Sequence, residues 1–183
     1  MVIYPLRVDE ATGVLSPNDP LYQPMDPQVG PRHLAMHPNL DIVYFSNEQG
    51  CSVSSYRVDQ DTGTLGHLQT VSTLPENVGI RNTCSQIQFS ADAALLYVPN
   101  RGHNSIAGFA VDGEGMLSPA GHAATEAVPS AFGLDPAGRF VFAAGSATNR
   151  LASYSIDGQS GALTAGPVYD VGARPMSVLA LAL

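Results

Sequence analysis

A four-fold internal repeat limits what this chain can fold into more than any other feature of its sequence. Each copy has a strand-like run that ends in Asp, a turn with Gly, and a second strand-like run around Leu. The copies are LRVDEATGVLSP (6–17), YRVDQDTGTLGH (56–67), FAVDGEGMLSP (109–119) and YSIDGQSGALTA (154–165). A repeat of this kind indicates an array of one small structural unit.

A second repeated element lies between these copies and reads as strand, tight turn, strand. Its copies are HPNLDIVYFSN (37–47), FSADAALLYVPN (89–100) and LDPAGRFVFAAG (134–145). The two elements keep the same spacing, because Asp59, Asp112 and Asp157 are separated by 53 and then 45 residues, and so are the matched positions of the second element. Each unit therefore holds four short strands in about 45 residues, which is typical of a propeller blade. We predict an all-β fold, a β-propeller of four-stranded antiparallel blades.

The strand count describes one partial β-propeller domain. We assign outer strands of a blade to residues 1–28, full blades to 29–74, 75–125 and 126–170, and a closing inner strand to 171–183. This makes about three full blades plus two partial ones. Because an open half-ring leaves sheet edges free to pair, we expect the chain to be the truncated, C-terminal half of a propeller that other strands complete.

The charge and composition exclude several classes of function. The net charge is −8 with no basic tail, so neither nucleic acid nor a membrane surface is expected as a partner. All eight basic residues are arginine, which excludes a lysine Schiff base and leaves guanidinium groups as the fixed cations. No G-x-S-x-G, P-loop or G-x-G-x-x-G motif occurs. We predict no cofactor.

The cysteines and the apolar runs indicate the compartment. Cys51 and Cys84 are too few for a disulfide framework and lack C-x-x-C spacing, so we expect free thiols in a reducing compartment. No charged segment followed by an apolar run opens the chain, and no apolar run approaches the ~20 residues of a membrane span. We therefore expect a cytoplasmic location.

Positions that differ between equivalent units are the best candidates for a site, since shared positions mostly build the blade. By the repeat spacing, Arg32 corresponds to serine in both later units, and Glu48 corresponds to Arg101 and then to serine. The position of Arg32 begins an inner strand, and the position of Glu48 lies just beyond the neighbouring strand. Because these are the same end of an antiparallel pair, Arg32, Glu48 and Arg101 are expected to meet on one face of two adjacent blades.

Three further residues lie near this face in the predicted blades. His33 follows Arg32, Arg174 repeats the approximate placement of Arg32 in the last strand, and His103 lies in the loop after Arg101, where it can act as an acid or base. Plainer interpretations stay open. An arginine at a strand edge is often solvated, the carboxylate can belong to a structural ion pair between blades, and His103 can be a solvated loop residue.

The H-x-x-x-H pair of His33 and His37 raises the question of a metal ion. On a helix these two residues would share a face. On the predicted strand they lie roughly 13 Å apart, which is too far for one ion. We predict no metal site.

Six segments resemble a known family: GPRHLAMHPN, YFSNEQGCSVSSY, TLPEN, LLYVPNRGHNSIAGF, FGLDPAGRFVFAAG and VGARPMSV. In this order they resemble the seven-bladed propeller lactonases, which include bacterial 6-phosphogluconolactonase and fungal carboxy-muconate lactonizing enzyme. The resemblance implies a hydrolase that opens a small sugar lactone such as 6-phosphogluconolactone. The catalytic residues that it implies are Glu48, Arg101 and Arg32. The substrate-binding residues that we expect are Arg32, His33, Arg101, His103 and Arg174.

In the implied reaction, two guanidinium groups bind the substrate carboxylate or phosphate and stabilise the oxyanion, while a carboxylate or histidine handles the proton. A second hypothesis stays open. The N-terminal blades of the family are missing, Ser130 stands where the family usually has Arg, and Gln86 stands where Asp or Glu is common. The chain would then be a catalytically inactive propeller fragment that associates, through its edge strands, with itself or with a missing N-terminal half.

Overall fold

The computed structural model describes residues 1–182, and every regular element in this range is a β-strand. The strands are β1 (Val2–Ile3), β2 (Leu6–Val8), β3 (Leu15–Pro17), β4 (Gln23–Pro24), β5 (Pro31–Met36), β6 (Ile42–Asn47), β7 (Ser52–Val58), β8 (Leu65–Ser72), β9 (Thr83–Cys84), β10 (Gln88–Phe89), β11 (Leu95–Arg101), β12 (Ser105–Val111), β13 (Leu117–Ala124), β14 (Pro129–Leu134), β15 (Phe140–Gly145), β16 (Arg150–Ile156) and β17 (Leu163–Asp170). No helix that is long and apolar enough to cross a membrane occurs in residues 1–182.

Three consecutive antiparallel sheets make up most of the chain. Blade 1 has the strand order β5-β6-β7-β8, and blade 3 has the order β14-β15-β16-β17. Blade 2 has a split inner strand, because β9 and β10 both pair with β11, which is followed by β12 and β13. The predicted all-β fold with four-stranded antiparallel blades is confirmed.

The N-terminal strands pack against one face of blade 1. The hairpin of β2 and β3 is the pair that the repeat predicts for the outer strands of a blade. Strands β1 and β4 also pair, which the sequence did not predict. Met25 packs with Val43, Phe45 and Tyr56 of blade 1 in a small buried cluster.

Residues 171–182 differ from the prediction of a closing inner strand, since they contain no strand; residue 183 lies outside the described residues. A Cβ added to Gly133 would lie 3.1 Å from the Val178 carbonyl oxygen, so this segment runs close to β14. A strand is defined by the hydrogen-bond ladder that it forms with a neighbour. Within residues 1–182 no strand forms such a ladder with this segment.

The repeated aspartate builds the turn between the third and fourth strands of a blade. In blade 1 the Asp59 Oδ1 atom accepts hydrogen bonds from the amides of Thr62 at 2.8 Å and Asp61 at 3.0 Å. These bonds, the one from Thr62 above all, hold the pKa of Asp59 below its usual range. The same kind of bond is accepted at the equivalent residues Asp9, Asp112 and Asp157. The shared aspartate is therefore structural.

A tyrosine in the second strand of a blade fastens that blade to the next one. The Tyr44 hydroxyl donates to the Gly115 carbonyl at 2.7 Å. The Tyr97 hydroxyl donates to the Gly161 carbonyl at 2.9 Å. Burial raises the pKa of both phenols to about 12, so both remain donors at neutral pH. These bonds join blade 1 to blade 2 and blade 2 to blade 3 in the same way.

One end of every blade lies on the same face of the molecule. There, the start of the inner strand pairs with the end of the second strand, through Pro31 and Asn47 in blade 1, Cys84 and Asn100 in blade 2, and Pro129 and Gly145 in blade 3. Hydrogen bonds connect these ends across the blades, from the Ser46 hydroxyl to the Ser85 carbonyl at 3.0 Å and from the Ser85 hydroxyl to the Pro129 carbonyl at 2.9 Å. Side chains at these strand ends are thereby held along one rim.

Candidate active site

Arg32, Glu48 and Arg101 meet on this rim at the junction of blades 1 and 2. The Arg101 Nη2 atom donates to the Glu48 Oε1 atom, and the Arg32 Nε atom lies 3.7 Å from the same oxygen. The Arg101 Nη2 atom also donates to the Cys84 carbonyl at 2.8 Å. One carboxylate therefore receives two guanidinium groups, as the comparison of the repeats predicts.

The local backbone explains why Arg32 points away from the ladder. Strand β5 pairs through Pro31 with Asn47 and through His33 with Ser46, so Arg32 is the extra residue of a β-bulge. A bulge redirects a side chain and is common beside active sites. Strand β14 has the same irregularity, where the residue equivalent to Arg32 is Ser130. The bulge is thus a feature of the blade, and its charge is specific to blade 1.

The cluster is accessible and still partly shielded from water. The exposed fractions of the side chains are 19% for Arg101, 28% for Glu48 and 32% for Arg32. Among residues 1–182, the buried Nε atom of Arg101 has no hydrogen-bond partner. Charge-assisted hydrogen bonds are stronger at such partly desolvated positions than on an open surface.

His33 lies in the field of these charges. Partial burial lowers the pKa of His33, the charges of Arg32 and Arg101 lower it further, and the charge of Glu48 opposes them. The ring is therefore neutral at neutral pH. A neutral imidazole beside two cations is able to accept a proton.

The other two predicted site residues lie elsewhere. The His103 Nδ1 atom is 2.7 Å from the Ser105 hydroxyl, and the His103 ring makes an edge contact with His122 of the outer strand, 6.1 Å between centroids. The Arg174 amide donates to the Asn149 side chain at 2.9 Å, in the turn between β15 and β16. Within residues 1–182, no hydrogen bond or ion pair joins either residue to Glu48. Their roles in binding stay predictions.

His33 and His37 do not form a metal site in the described chain. The His37 Nδ1 atom accepts the amides of Asn39 and Leu40, both at 3.1 Å, which caps the turn after β5. No group of three or more possible metal ligands occurs in residues 1–182.

The residues equivalent to His33, Arg32 and Glu48 make structural contacts in the later blades through Gln86, Ser130 and Ser146. The Gln86 Oε1 atom accepts the Phe132 amide at 2.8 Å, across the boundary between these blades. The hydroxyls of Ser130 and Ser146 lie 3.1 Å apart within blade 3. The charged residues at these positions, Arg32, Glu48 and Arg101, therefore lie where blades 1 and 2 meet.

One partner in the site was not visible in the sequence. The Cys84 carbonyl accepts Arg101, and the Cys84 amide donates to the Glu48 carbonyl at 3.1 Å. Every residue except proline supplies both a carbonyl and an amide N–H, so residue type could not identify this contact. The repeat gives only its location, since the spacing places Cys84 beside the serine equivalent to Arg32.

Comparisons with known proteins support the propeller fold. A family model described as "Lactonase, 7-bladed beta-propeller" matches residues 2–180. The chain is similar to the 6-phosphogluconolactonase of Pectobacterium carotovorum, with 33% identity over 174 residues, which cover 94% of this chain and 52% of that protein. For the 6-phosphogluconolactonase of Photorhabdus laumondii the identity is 36% over 155 residues, which cover 84% of this chain and 46% of that protein.

A solved structure shows the same fold. The periplasmic gluconolactonase of Pseudomonas aeruginosa superposes with a TM-score of 0.87 at 29% identity, over 94% of this chain and 49% of that chain. The chain spans about half the length of the curated relatives that it matches.

Proposed function

The chain belongs to the lactonase family of seven-bladed β-propellers, and from this membership we propose that it hydrolyses a sugar lactone such as 6-phosphogluconolactone. The observation that carries the proposal is the meeting of Arg32 and Arg101 on Glu48. Relatives named 6-phosphogluconolactonase support the reaction class and the substrate.

The two arginines suit different tasks in this proposal. Arg101 is the less exposed of the two and is fixed by Glu48 and the Cys84 carbonyl, so its position is set before a substrate arrives. Donors fixed in advance stabilise a developing oxyanion most effectively. Arg32 is more exposed and approaches Glu48 only through Nε. Its outer nitrogens remain available for a bidentate contact with a phosphate or carboxylate.

In this proposal His33 transfers the proton, and Glu48 positions the two arginines. Water attacks the lactone carbonyl carbon, and neutral His33 accepts the proton that the water loses. The oxyanion that forms is stabilised by Arg101. When the bond between the carbonyl carbon and the ring oxygen breaks, protonated His33 returns the proton to the leaving oxygen, which gives the open hydroxy acid. Glu48 keeps both guanidinium groups in place.

Turnover by the purified chain tests this function. Hydrolysis is followed by acid release, above the spontaneous rate, on 6-phosphogluconolactone and on gluconolactone, which lacks the phosphate. We expect turnover of the phosphorylated substrate, and we expect Arg32→Gln to raise KM for it more than KM for gluconolactone. Equal changes in KM for both substrates would contradict phosphate binding by Arg32.

Folding and oligomeric state are measured as controls on the same sample. Light scattering gives the molar mass and tests the prediction that open sheet edges associate with a second copy. A folded sample without turnover would contradict the proposed function of this chain.

A further inference from the structure

Two cysteine side chains from adjacent blades lie together beneath the site. Cys51 is in the turn between β6 and β7 of blade 1, and Cys84 ends β9 of blade 2. An interaction between the two thiols affects the pKa of both. The Thr73 amide donates to the Cys51 carbonyl at 2.9 Å, while the Thr73 hydroxyl lies 3.1 Å from the Cys84 sulfur. One residue of the loop after β8 thus contacts both cysteines.

Asn82 and Asn100 complete the surroundings of the two sulfurs. The Cys51 sulfur lies 3.3 Å from the Asn82 carbonyl oxygen and 3.4 Å from its side-chain nitrogen. That nitrogen donates to the Asn100 side-chain oxygen at 2.9 Å, which in turn lies 3.9 Å from the Cys84 sulfur. This network links the two thiols across the boundary between blades 1 and 2.

The two thiols differ in their access to solvent. Cys84 is fully buried. Cys51 is partly exposed and, with Gly50 of its own turn, lines an open cavity of about 550 Å³. Pro75 and Gly79 of the loop after β8 line the same cavity. A small reagent that enters this cavity meets the Cys51 sulfur first, and Cys84 is reached through Cys51.

The two thiols also differ in acidity, and the accessible thiol of Cys51 is the more acidic one. The hydrogen bond from Cys84 lowers the pKa of Cys51 to about 6. The same hydrogen bond, together with burial, raises the pKa of Cys84. At neutral pH the accessible sulfur is therefore a thiolate, the form that reacts, and the buried sulfur keeps its proton.

We propose that Cys51 and Cys84 form a modification site at which a peroxide oxidises the two thiols to an intramolecular disulfide. The Cys51 thiolate attacks a peroxide oxygen, the O–O bond breaks, and hydroxide leaves, which gives a sulfenic acid on Cys51. The Cys84 thiol then attacks the Cys51 sulfur, an S–S bond forms, and water leaves. One peroxide is reduced, and the two thiols together lose two electrons.

The modification site is coupled to the candidate active site through the backbone of Cys84. Its carbonyl accepts Arg101 at 2.8 Å and its amide donates to the Glu48 carbonyl at 3.1 Å. A new bond at the Cys84 side chain therefore acts directly on the residue that holds Arg101. We expect the disulfide to lower lactone hydrolysis and a dithiol reductant to restore it, a consequence that rests on the proposed function.

Peptide mapping tests the thiol pair without any activity assay. The folded chain is treated with hydrogen peroxide, blocked with an alkylating reagent, and digested after arginine without reduction. Because the chain has no lysine, Cys51 lies in the peptide 33–57 and Cys84 in the peptide 82–101. We expect these two peptides to become linked, with a mass two hydrogens below their sum. Non-reducing electrophoresis should show no disulfide between two chains.

Two variants check the order of the steps. In Cys84→Ser, Cys51 should form a sulfenic acid that a dione reagent traps, and in Cys51→Ser the buried Cys84 should stay reduced. Absence of the linked peptides in the folded wild-type chain, or oxidation of Cys84 in Cys51→Ser at the wild-type rate, would overturn the proposal. If the reduced chain hydrolyses no lactone, the proposed function is wrong. The linked peptides still show whether the disulfide between Cys51 and Cys84 forms.

Discussion

The junction of blades 1 and 2 should be highly sensitive to one methyl group. Gly115 has a φ of +81°, and a Cβ there would overlap the Ile42 side chain and lie 2.8 Å from the Tyr44 hydroxyl oxygen. In Gly115→Ala the left-handed backbone costs roughly 1–2 kcal/mol. Crowding in a packed interface adds about 1–3 kcal/mol. We therefore expect the free energy of unfolding to fall by about 2–5 kcal/mol.

The same turn offers a matched control. Gly113 is two residues away, has no positive φ, and a Cβ there would meet nothing within 4 Å. Gly113→Ala is expected to change the free energy of unfolding by less than about 0.5 kcal/mol, or to raise it slightly by restricting the unfolded chain.

Urea denaturation measures both variants. Tyrosine fluorescence reports the transition, because the chain has seven tyrosines and no tryptophan. A fall of less than about 1 kcal/mol in Gly115→Ala would show that the blades are not fastened through this turn.

Four further outcomes follow from the candidate active site and the thiol pair. Glu48→Gln leaves two partly exposed guanidinium groups without their shared counter-charge, so urea denaturation should show the free energy of unfolding lowered by about 1–3 kcal/mol. The same variant should lower the pKa of His33 further, since Glu48 is the charge that raises it, and NMR titration of the ring measures this. In the wild-type chain, hydrolysis should fall as the pH is lowered through the pKa of His33, below 6.5, because the protonated ring accepts no proton. Alkylation of Cys51 should have a pH midpoint at about 6, and Cys84→Ala should move it upward, because alanine removes the hydrogen bond from Cys84 that lowers this pKa.

The blades and the rim residues were predictable because both depend on the period of the repeat. Two elements with the same spacing fix which strands pair, and antiparallel pairing then brings Arg32, Glu48 and Arg101 to one end of two blades. Repetition also separates structural residues from candidates for function. The aspartate found in all four copies caps a turn, as Asp59 illustrates, whereas Glu48 and Arg101 differ between copies.

Other features depend on three-dimensional contacts that no period encodes. The pairing of β1 with β4 joins residues outside the repeat. Cys51 and Cys84 are separated by 33 residues and occupy non-equivalent positions of their blades, so their contact could not be found by comparing the repeats. The spacing placed His103 beside Arg101, but its ring turns toward Ser105 and the outer strand, because strand ends fix positions in a loop and not side-chain directions.

Hydrolysis of 6-phosphogluconolactone by Arg101→Ala, beside Arg139→Ala, decides whether the junction of blades 1 and 2 is catalytic. Arg139 lies in the turn at the opposite end of blade 3, where its guanidinium is over the Phe140 ring, so the control removes the same charge away from the rim. Loss of a fixed oxyanion donor should lower kcat by about 10²–10³-fold in Arg101→Ala, with Arg139→Ala close to wild type. Equal kcat values for the two variants would contradict a catalytic site at the junction of blades 1 and 2.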